Sequence, residues 1–332
     1  MRAAVVNELS GPDCAVISEI AEPTGAHPRA DGRRLLVEVR AAGLSFIDAL
    51  QTRGGYQNGV AVPFVSGSEF SGTVLETPPS SDFRPGDRVA GIVWHGAVSE
   101  RVLAHPDYTV KLPDSMSFEA GAALYMNYST AWFALHRAAV RSGETVLVHG
   151  AAGGVGTATL DLCAVAGTRT IAVVSDDTKE GVARECGADE VVRFGDTWLD
   201  EVRAHTGGRG VDTIIDPVGG DRFTDSLRAL RQGGRLVVVG FAGGEIPTVK
   251  VNRLLHRNLT ITGITMDNME IDHPGTLRMV REAVESLAAG GRLRPYIGAR
   301  FTMAEISDAL RSIEDRTAFG KVIVDIGTDP HR

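Results

Sequence analysis

The stretch Val146-Leu147-Val148-His149-Gly150-Ala151-Ala152-Gly153-Gly154-Val155-Gly156 carries the most specific chemistry in the chain. An apolar, β-branched run enters a glycine-rich turn that opens a helix. Glycines let such a turn tighten, let backbone N–H groups approach a pyrophosphate, and let the helix pack on the strand. The helix N-terminus adds partial positive charge. The spacing departs from GxGxxG, but the loop heads an alternating series of strands and helices, which is the setting a dinucleotide site requires. Gly150, Ala151, Gly153, Gly154, Val155 and Gly156 are the expected phosphate contacts.

The next strand of that series ends in Val173-Val174-Ser175-Asp176-Asp177-Thr178-Lys179. An NAD site wants an acid at the strand end to take both ribose hydroxyls. Here the strand ends at Val174 and Ser175, with Lys179 four residues on. Ser175 and Lys179 suit a 2′-phosphate, and a charge-assisted bond from the lysine contributes about 1.5–3 kcal/mol. NADPH is therefore the expected cofactor. The competing reading makes Asp176 or Asp177 the ribose acid and Lys179 a solvated helix charge.

Other reactive residue types are sparse. Three cysteines (Cys14, Cys163, Cys186) lie far apart without a CxxC, and the nine histidines form no triad or metal spacing. Neither a disulfide framework nor a structural zinc site is expected, and a reducing cytoplasm fits. His149 has apolar neighbours and reads as a packed strand histidine.

The elements that must position these residues come next. A chain of 332 residues points to two domains. It is 43% hydrophobic and 23% charged, the balance of a folded protein. The net charge of −8 argues against a nucleic-acid partner. No apolar run approaches the roughly 18 residues of a membrane span, and Glu8 interrupts any signal-peptide pattern. Glycine, at 39 residues, exceeds its usual share of about 7%.

In the first third, short apolar runs (Arg2–Val6, Arg34–Val39, Gly72–Leu75, Arg88–Val93, Ala97–Val102) read as strands of a compact β domain. Glu22–Arg34 reads as a surface loop. Phe118–Arg137 reads as one helix, capped by Ser115 or Ser117. From Thr145 to Ile264 strands and helices alternate, giving six buried strands in a parallel, doubly wound sheet. Pro274–Ala289 reads as a helix. Lys321–Ile326 is a last strand with no place in that sheet, so the chain returns to its first domain. The expected division is 1–117 with 266–332, and 118–265.

The runs Gly43-Leu44-Ser45-Phe46-Ile47-Asp48, Arg53-Gly54-Gly55-Tyr56 and Pro63-Phe64-Val65-Ser66-Gly67-Ser68-Glu69-Phe70-Ser71-Gly72 resemble the medium-chain dehydrogenase/reductase superfamily. Together with the glycine loop, Asp216-Pro217-Val218-Gly219-Gly220, Gly234–Phe241 and Gly320-Lys321-Val322 are similar to its zinc-free, zeta-crystallin-like quinone oxidoreductase branch. The resemblance runs the length of the chain. It implies an α/β fold, a GroES-like β-rich catalytic domain beside a Rossmann domain, with NADPH between them. Where zinc alcohol dehydrogenases carry Cys, His and Cys on the metal, this chain has Ser45, Ser68 and Met126. Two hydroxyls and a thioether make no such zinc site. Without a Lewis acid, hydride transfer to a conjugated carbonyl is the favoured chemistry, a quinone or enone being the small-molecule partner. An enoyl-thioester or 2-alkenal reductase, and a non-catalytic NADPH-binding redox sensor, share these motifs.

The resemblance also implies roles for single residues. Tyr56 matches a tyrosine near the nicotinamide, either a proton donor or a lid aromatic. Ser45 stands where many quinone reductases present an asparagine to substrate, and Leu50 where some present a tyrosine. Asp48 reads as a helix cap. Thr130 matches a threonine that meets the nicotinamide amide, with a back-bonded helix hydroxyl as the other reading. Val218, Gly240, Phe241 and Asn252 match further cofactor contacts. Arg316 resembles an arginine that reaches the 2′-phosphate, with a solvated surface arginine as the other reading, and Phe194 replaces a tyrosine at that end of the cofactor. Relatives pair through the edge strand near Val251–Ile264, which implies a homodimer.

Overall fold

The computed structural model describes residues 1–24, 33–56, 59–79 and 81–327. Most of the expected loop Glu22–Arg34 lies outside them. The chain divides into two compact units, one of Met1–Met126 with Leu277–Arg332 and one of Asn127–Thr276.

The first unit begins with β1 (Arg2–Val6), β2 (Ala15–Glu19), β3 (Leu35–Leu44) and α1 (Phe46–Thr52). It continues through β4 (Phe64–Val65), β5 (Glu69–Glu76), β6 (Arg88–Ile92), β7 (Arg101–Ala104), β8 (Thr109–Lys111) and α2 (Phe118–Ala122). The second unit contains most of α3 (Tyr125–Arg137), then β9 (Thr145–His149), α4 (Gly154–Ala166), β10 (Arg169–Val174) and α5 (Asp177–Glu185). There follow β11 (Glu190–Arg193), α6 (Trp198–His205), β12 (Val211–Asp216), α7 (Phe223–Ala229), β13 (Leu230–Val238), α8 (Asn252–Arg257), β14 (Thr260–Gly263) and α9 (Met266–Asp272). The first unit is completed by α10 (Thr276–Ala289), β15 (Ile297–Thr302), α11 (Ile306–Glu314) and β16 (Lys321–Asp325).

The second unit is the expected parallel sheet of six strands, ordered β11-β10-β9-β12-β13-β14. Its central strands β9 and β12 are buried along their whole length. Strands covered on both faces must be apolar throughout, which is why they show as unbroken Val/Leu/Ile runs. Leu147, Ile171, Ile214 and Leu236 form the middle of its core.

In the first unit, β15-β16-β3-β5-β6-β8 form one sheet, β7 pairing with β3, and β2-β1-β4 form a second. The last strand does return: β16 runs antiparallel to β3, with Val322 opposite Leu44. This closes a core of Val37, Phe70, Val89, Leu310 and Val324.

Three segments differ from the sequence expectation. Phe118–Arg137 is two helices, because Ala123 and Leu124 donate to Ala120 and Gly121 in a tight turn that ends α2. The expected strand Ala97–Val102 starts later, at Arg101, because the Ser99 hydroxyl donates to the Gly96 and Arg101 carbonyls and bends the chain. The apolar run Arg235–Phe241 reads as one strand, but β13 ends at Val238, leaving Gly240 and Phe241 in the loop beyond it. No helix among the described residues is long and apolar enough to cross a membrane.

Gly43 marks the tightest approach in the first unit. A Cβ there would overlap the Ala122 carbonyl oxygen and lie 2.6 Å from Lys321 Cε. Neither neighbour has room to retreat. Gly43→Ala is expected to cost about 1–3 kcal/mol, as overpacking does in other cores, read as a lower urea midpoint at unchanged m-value.

Candidate functional site

The second unit gathers the expected phosphate residues at the head of α4. Gly150 follows β9 directly, in the left-handed region at φ +58°. The Gly153 N–H donates to the Gly150 carbonyl at 2.9 Å, which closes the turn. A Cβ on Gly156 would overlap that carbonyl and come within 2.7 Å of Ala151 Cα, so the helix lies flat on the loop only because this residue is glycine. Gly153 occupies the N-cap, and no side chain caps α4. The first N–H groups of a helix need partners. Here those of Gly154, Val155 and Gly156 stand at a bare, positively polarised terminus, and a diphosphate fits this donor set.

Other expected residues of this unit fall around the loop. A Cβ on Gly150 would come 3.0 Å from Val218 Cγ2, so the loop after β12 abuts the phosphate turn. That loop is locked by Asp216, whose Oδ1 accepts the Val218 and Gly219 N–H groups at 2.9 Å each. It is zipped to Ala242 and Gly243, just after Gly240 and Phe241, by Ala242 N–H to Pro217 O and Gly243 N–H to Val218 O. Thr130 is half-buried on α3, one turn after Asn127, whose side chain lies against Gly154. Asn252 is exposed in the first turn of α8.

At the end of β10, Asp176 is the N-cap of α5. Its Oδ1 accepts the Lys179 N–H at 3.0 Å, and its Oδ2 accepts the Ser175 hydroxyl at 2.8 Å. These bonds, the Lys179 backbone foremost, hold its carboxyl down at about 2. The Lys179 ammonium donates to Ser175 Oγ at 2.8 Å and pairs with Asp176 at 3.1 Å. Asp177 pairs with Arg193. Both acids of the competing reading thus have local duties, and Lys179 is held at the strand end. Arg193 escaped the sequence reading. It sits opposite Val174 in the β10–β11 register, which brings a second cation to the strand end. Phe194 is occupied by the Arg222 guanidinium, 3.9 Å above its ring.

His149 is packed as expected. It is fully buried, bonds Ser226 Oγ at 2.8 Å, and meets Trp198 edge to face. Burial pushes its imidazole down to about 4, so it is neutral at physiological pH.

In the first unit Ser45, Ser68 and Met126 come together around one carboxylate. Asp48 Oδ2 accepts the Ser45 N–H at 2.6 Å and the Ser68 hydroxyl at 2.9 Å, and Ser68 Oγ lies 3.9 Å from Met126 Sδ. Asp48 is the cap partner of α1, as expected. It is also part of a buried charge cluster that sequence reasoning missed. Lys321, 1% exposed, reaches Glu69 Oε2 at 2.5 Å and Ser45 Oγ at 2.7 Å. Glu69, fully buried, also accepts the Met126 N–H at 3.0 Å. Burial raises both carboxyls, Asp48 to about 6, against the pull of Lys321 and the hydrogen bonds. Tyr56 is half-buried beyond α1, beside the undescribed residues 57–58, and Leu50 is half-buried on α1. Arg316 is exposed after α11, with φ +59°. Among the described residues, no group of three or more His, Cys, Asp or Glu side chains is placed to hold a metal ion.

Comparison with known proteins decides the family. Residues 31–114 match the alcohol dehydrogenase GroES-like domain, and residues 154–282 match the zinc-binding dehydrogenase family. A bovine (Bos taurus) quinone oxidoreductase-like protein 2 is 37% identical over 98% of this chain and 92% of its own. The chain belongs to the medium-chain dehydrogenase/reductase superfamily, in its quinone oxidoreductase branch. Solved members of the superfamily share the fold. A probable oxidoreductase from Mycobacterium abscessus superposes with a TM-score of 0.87 at 37% identity, covering 98% of both chains. The quinone oxidoreductase of Thermus thermophilus, solved alone and with NADPH, gives 0.81 at 31% identity, over 98% of this chain and 100% of its own.

The raised Asp48 carboxyl makes stability depend on pH. Below its ordinary value of 3.8 both folded and unfolded chains hold the proton; between there and about 6 only the folded chain does. The Asp48 contribution therefore falls as pH rises through this window, by about 3 kcal/mol in all, and stays low above it. Asp48→Asn keeps an acceptor for Ser45 and removes the ionisation. Urea unfolding of parent and variant across pH 4 to 7 is expected to show the stability difference shifting in favour of the variant by about that amount.

Proposed function

We propose that the chain is an NADPH-dependent reductase that delivers hydride to a conjugated carbonyl compound, a quinone foremost, without a metal ion. The observation that carries this reading is the uncapped terminus of α4 with Ser175 and Lys179 held together at the end of β10. The NADPH complex of the Thermus relative supports the choice of coenzyme. Bound NADPH would supply the hydride.

The chain's own residues do the rest. Backbone N–H groups of Gly154, Val155 and Gly156 hold the diphosphate on the turn made by Gly150, Ala151 and Gly153. Ser175 and Lys179 receive the 2′-phosphate, with Arg193 adding charge. Thr130, Val218, Gly240, Phe241, Asn252 and Arg316 are the remaining proposed cofactor contacts. Ser45 lines the acceptor pocket, and Tyr56 returns a proton to the reduced product. The donor set at Ser45, Ser68 and Met126 supports metal-free work, since an ammonium already bonds the first of these hydroxyls. A conjugated acceptor suits such a site because incoming charge spreads to a distant oxygen. A homodimer formed along β14 is part of the proposal. Among the described residues that strand has a single neighbour, and Ile246, Val251 and Leu255, which precede it in the chain, are 72%, 68% and 75% exposed.

Calorimetric titration with NADPH and NADH, followed by absorbance of the reduced nicotinamide with benzoquinone or phenanthrenequinone, tests the reading. Tight NADPH binding and loss of absorbance are expected. Binding without turnover across quinones, enones and enoyl thioesters would establish a sensor instead. Lys179→Ala is expected to weaken NADPH about ten- to hundredfold and leave NADH nearly unchanged, the loss of one charge-assisted bond. Tyr56→Phe is expected to lower turnover about a hundredfold; a loss under about threefold would make Tyr56 a wall residue.

A further inference from the structure

The buried cluster of the first unit adjoins one serine that is not fully buried. Asp48, Glu69, Ser68 and Lys321 are each at most 1% exposed, whereas Ser45 is half-buried. An ammonium can only donate, so at 2.7 Å from Lys321 the Ser45 oxygen must accept. The hydroxyl hydrogen of Ser45 is thereby turned away from Lys321. Its backbone is fixed as well: the Ser45 N–H is taken by Asp48, at the start of α1. Glu69 anchors the ammonium from the other side, on β5. A hydroxyl that accepts from a buried cation is polarised, and donates more strongly than a solvated serine.

We propose that Lys321 makes Ser45 an outward hydrogen-bond donor, and that this hydroxyl binds the carbonyl oxygen of the acceptor as negative charge builds there. Ser45 is then the catalytic residue, and Lys321, Glu69 and Asp48 position it. The assignment rests on the proposed reduction of a conjugated carbonyl and on Ser45 lining the acceptor pocket. It gives an electrostatic origin for rate enhancement at this oxygen: a preorganised donor costs no reorganisation when charge appears.

Two readouts test it. The first needs neither coenzyme nor acceptor. In Ser45→Cys the introduced thiol faces the ammonium, so its alkylation by iodoacetamide is expected to follow a midpoint at least about one pH unit below the ordinary thiol value near 8.5. In Ser45→Cys/Glu69→Gln/Lys321→Met, which removes the buried ion pair and leaves Asp48, the midpoint is expected to return to that value or above. Peptide mass spectrometry separates the new site from the native cysteines, of which Cys163 and Cys186 are pushed up to about 12 by burial. The second is kinetic. Ser45→Ala and Glu69→Gln/Lys321→Met are each expected to lower kcat about a hundredfold with little change in KM, and Ser45→Thr to restore it within about tenfold. An ordinary titration of the thiol, or an unchanged kcat in Ser45→Ala, overturns the proposal while leaving the reductase reading intact. A parent chain that binds NADPH and reduces no acceptor overturns both.

Discussion

Lys321 and Glu69 bring opposite charges together where neither side chain is more than 1% exposed, 2.5 Å apart at the meeting of β16, β5 and α1. Burying either alone would cost several kcal/mol; together, with Ser45 and the Met126 backbone as further partners, they hold the chain's return strand in register. The pair also dictates its surroundings. Gly43 must lack a side chain to let the Lys321 stem pass, and Asp48 is left as the second carboxylate beside a single cation. Burial raises both carboxyls, and the single ammonium and the hydrogen bonds around them offset it only in part.

The second unit answers a different demand with less polar machinery. Its glycine turn works through what is missing: no side chain at Gly156, none capping α4. Asp216 gives the turn its rigidity from behind, by holding the loop after β12 against it. At the far end of β10 the charges are mutually satisfied, Lys179 with Asp176 and Arg193 with Asp177.

The two halves were unequally legible from sequence. The parallel sheet could be read because its strands are buried on both faces, so Thr145–His149 and Val211–Ile215 stand out as continuous apolar runs. The phosphate turn was legible because all its parts are contiguous. The first unit hides more. Its strand β15 alternates between half-buried and exposed residues and leaves a weak signal, and α11 spans only Ile306–Glu314 although Ile306, Ala309, Leu310 and Ile313 keep helical spacing. The sequence reading assigned neither. No local pattern links Glu69 to Lys321, which meet only through the β3–β5 and β3–β16 pairings. Arg193 is legible only once the register against Val174 is known. Asp176 was readable as an acid at the strand end; that it caps α5 is a matter of backbone geometry that composition does not carry.

The interrupted layout of the first unit has a consequence during synthesis. When Thr276 leaves the ribosome, the second unit has every strand it needs and can fold, since domains fold as units. The first unit at that moment has β3 with an open edge, because its partner β16 is still to be made. An exposed edge strand with apolar residues is a template for wrong pairing. Nascent chains stalled or cut before Lys321 therefore carry one finished half and one sticky half, and are natural clients for chaperones.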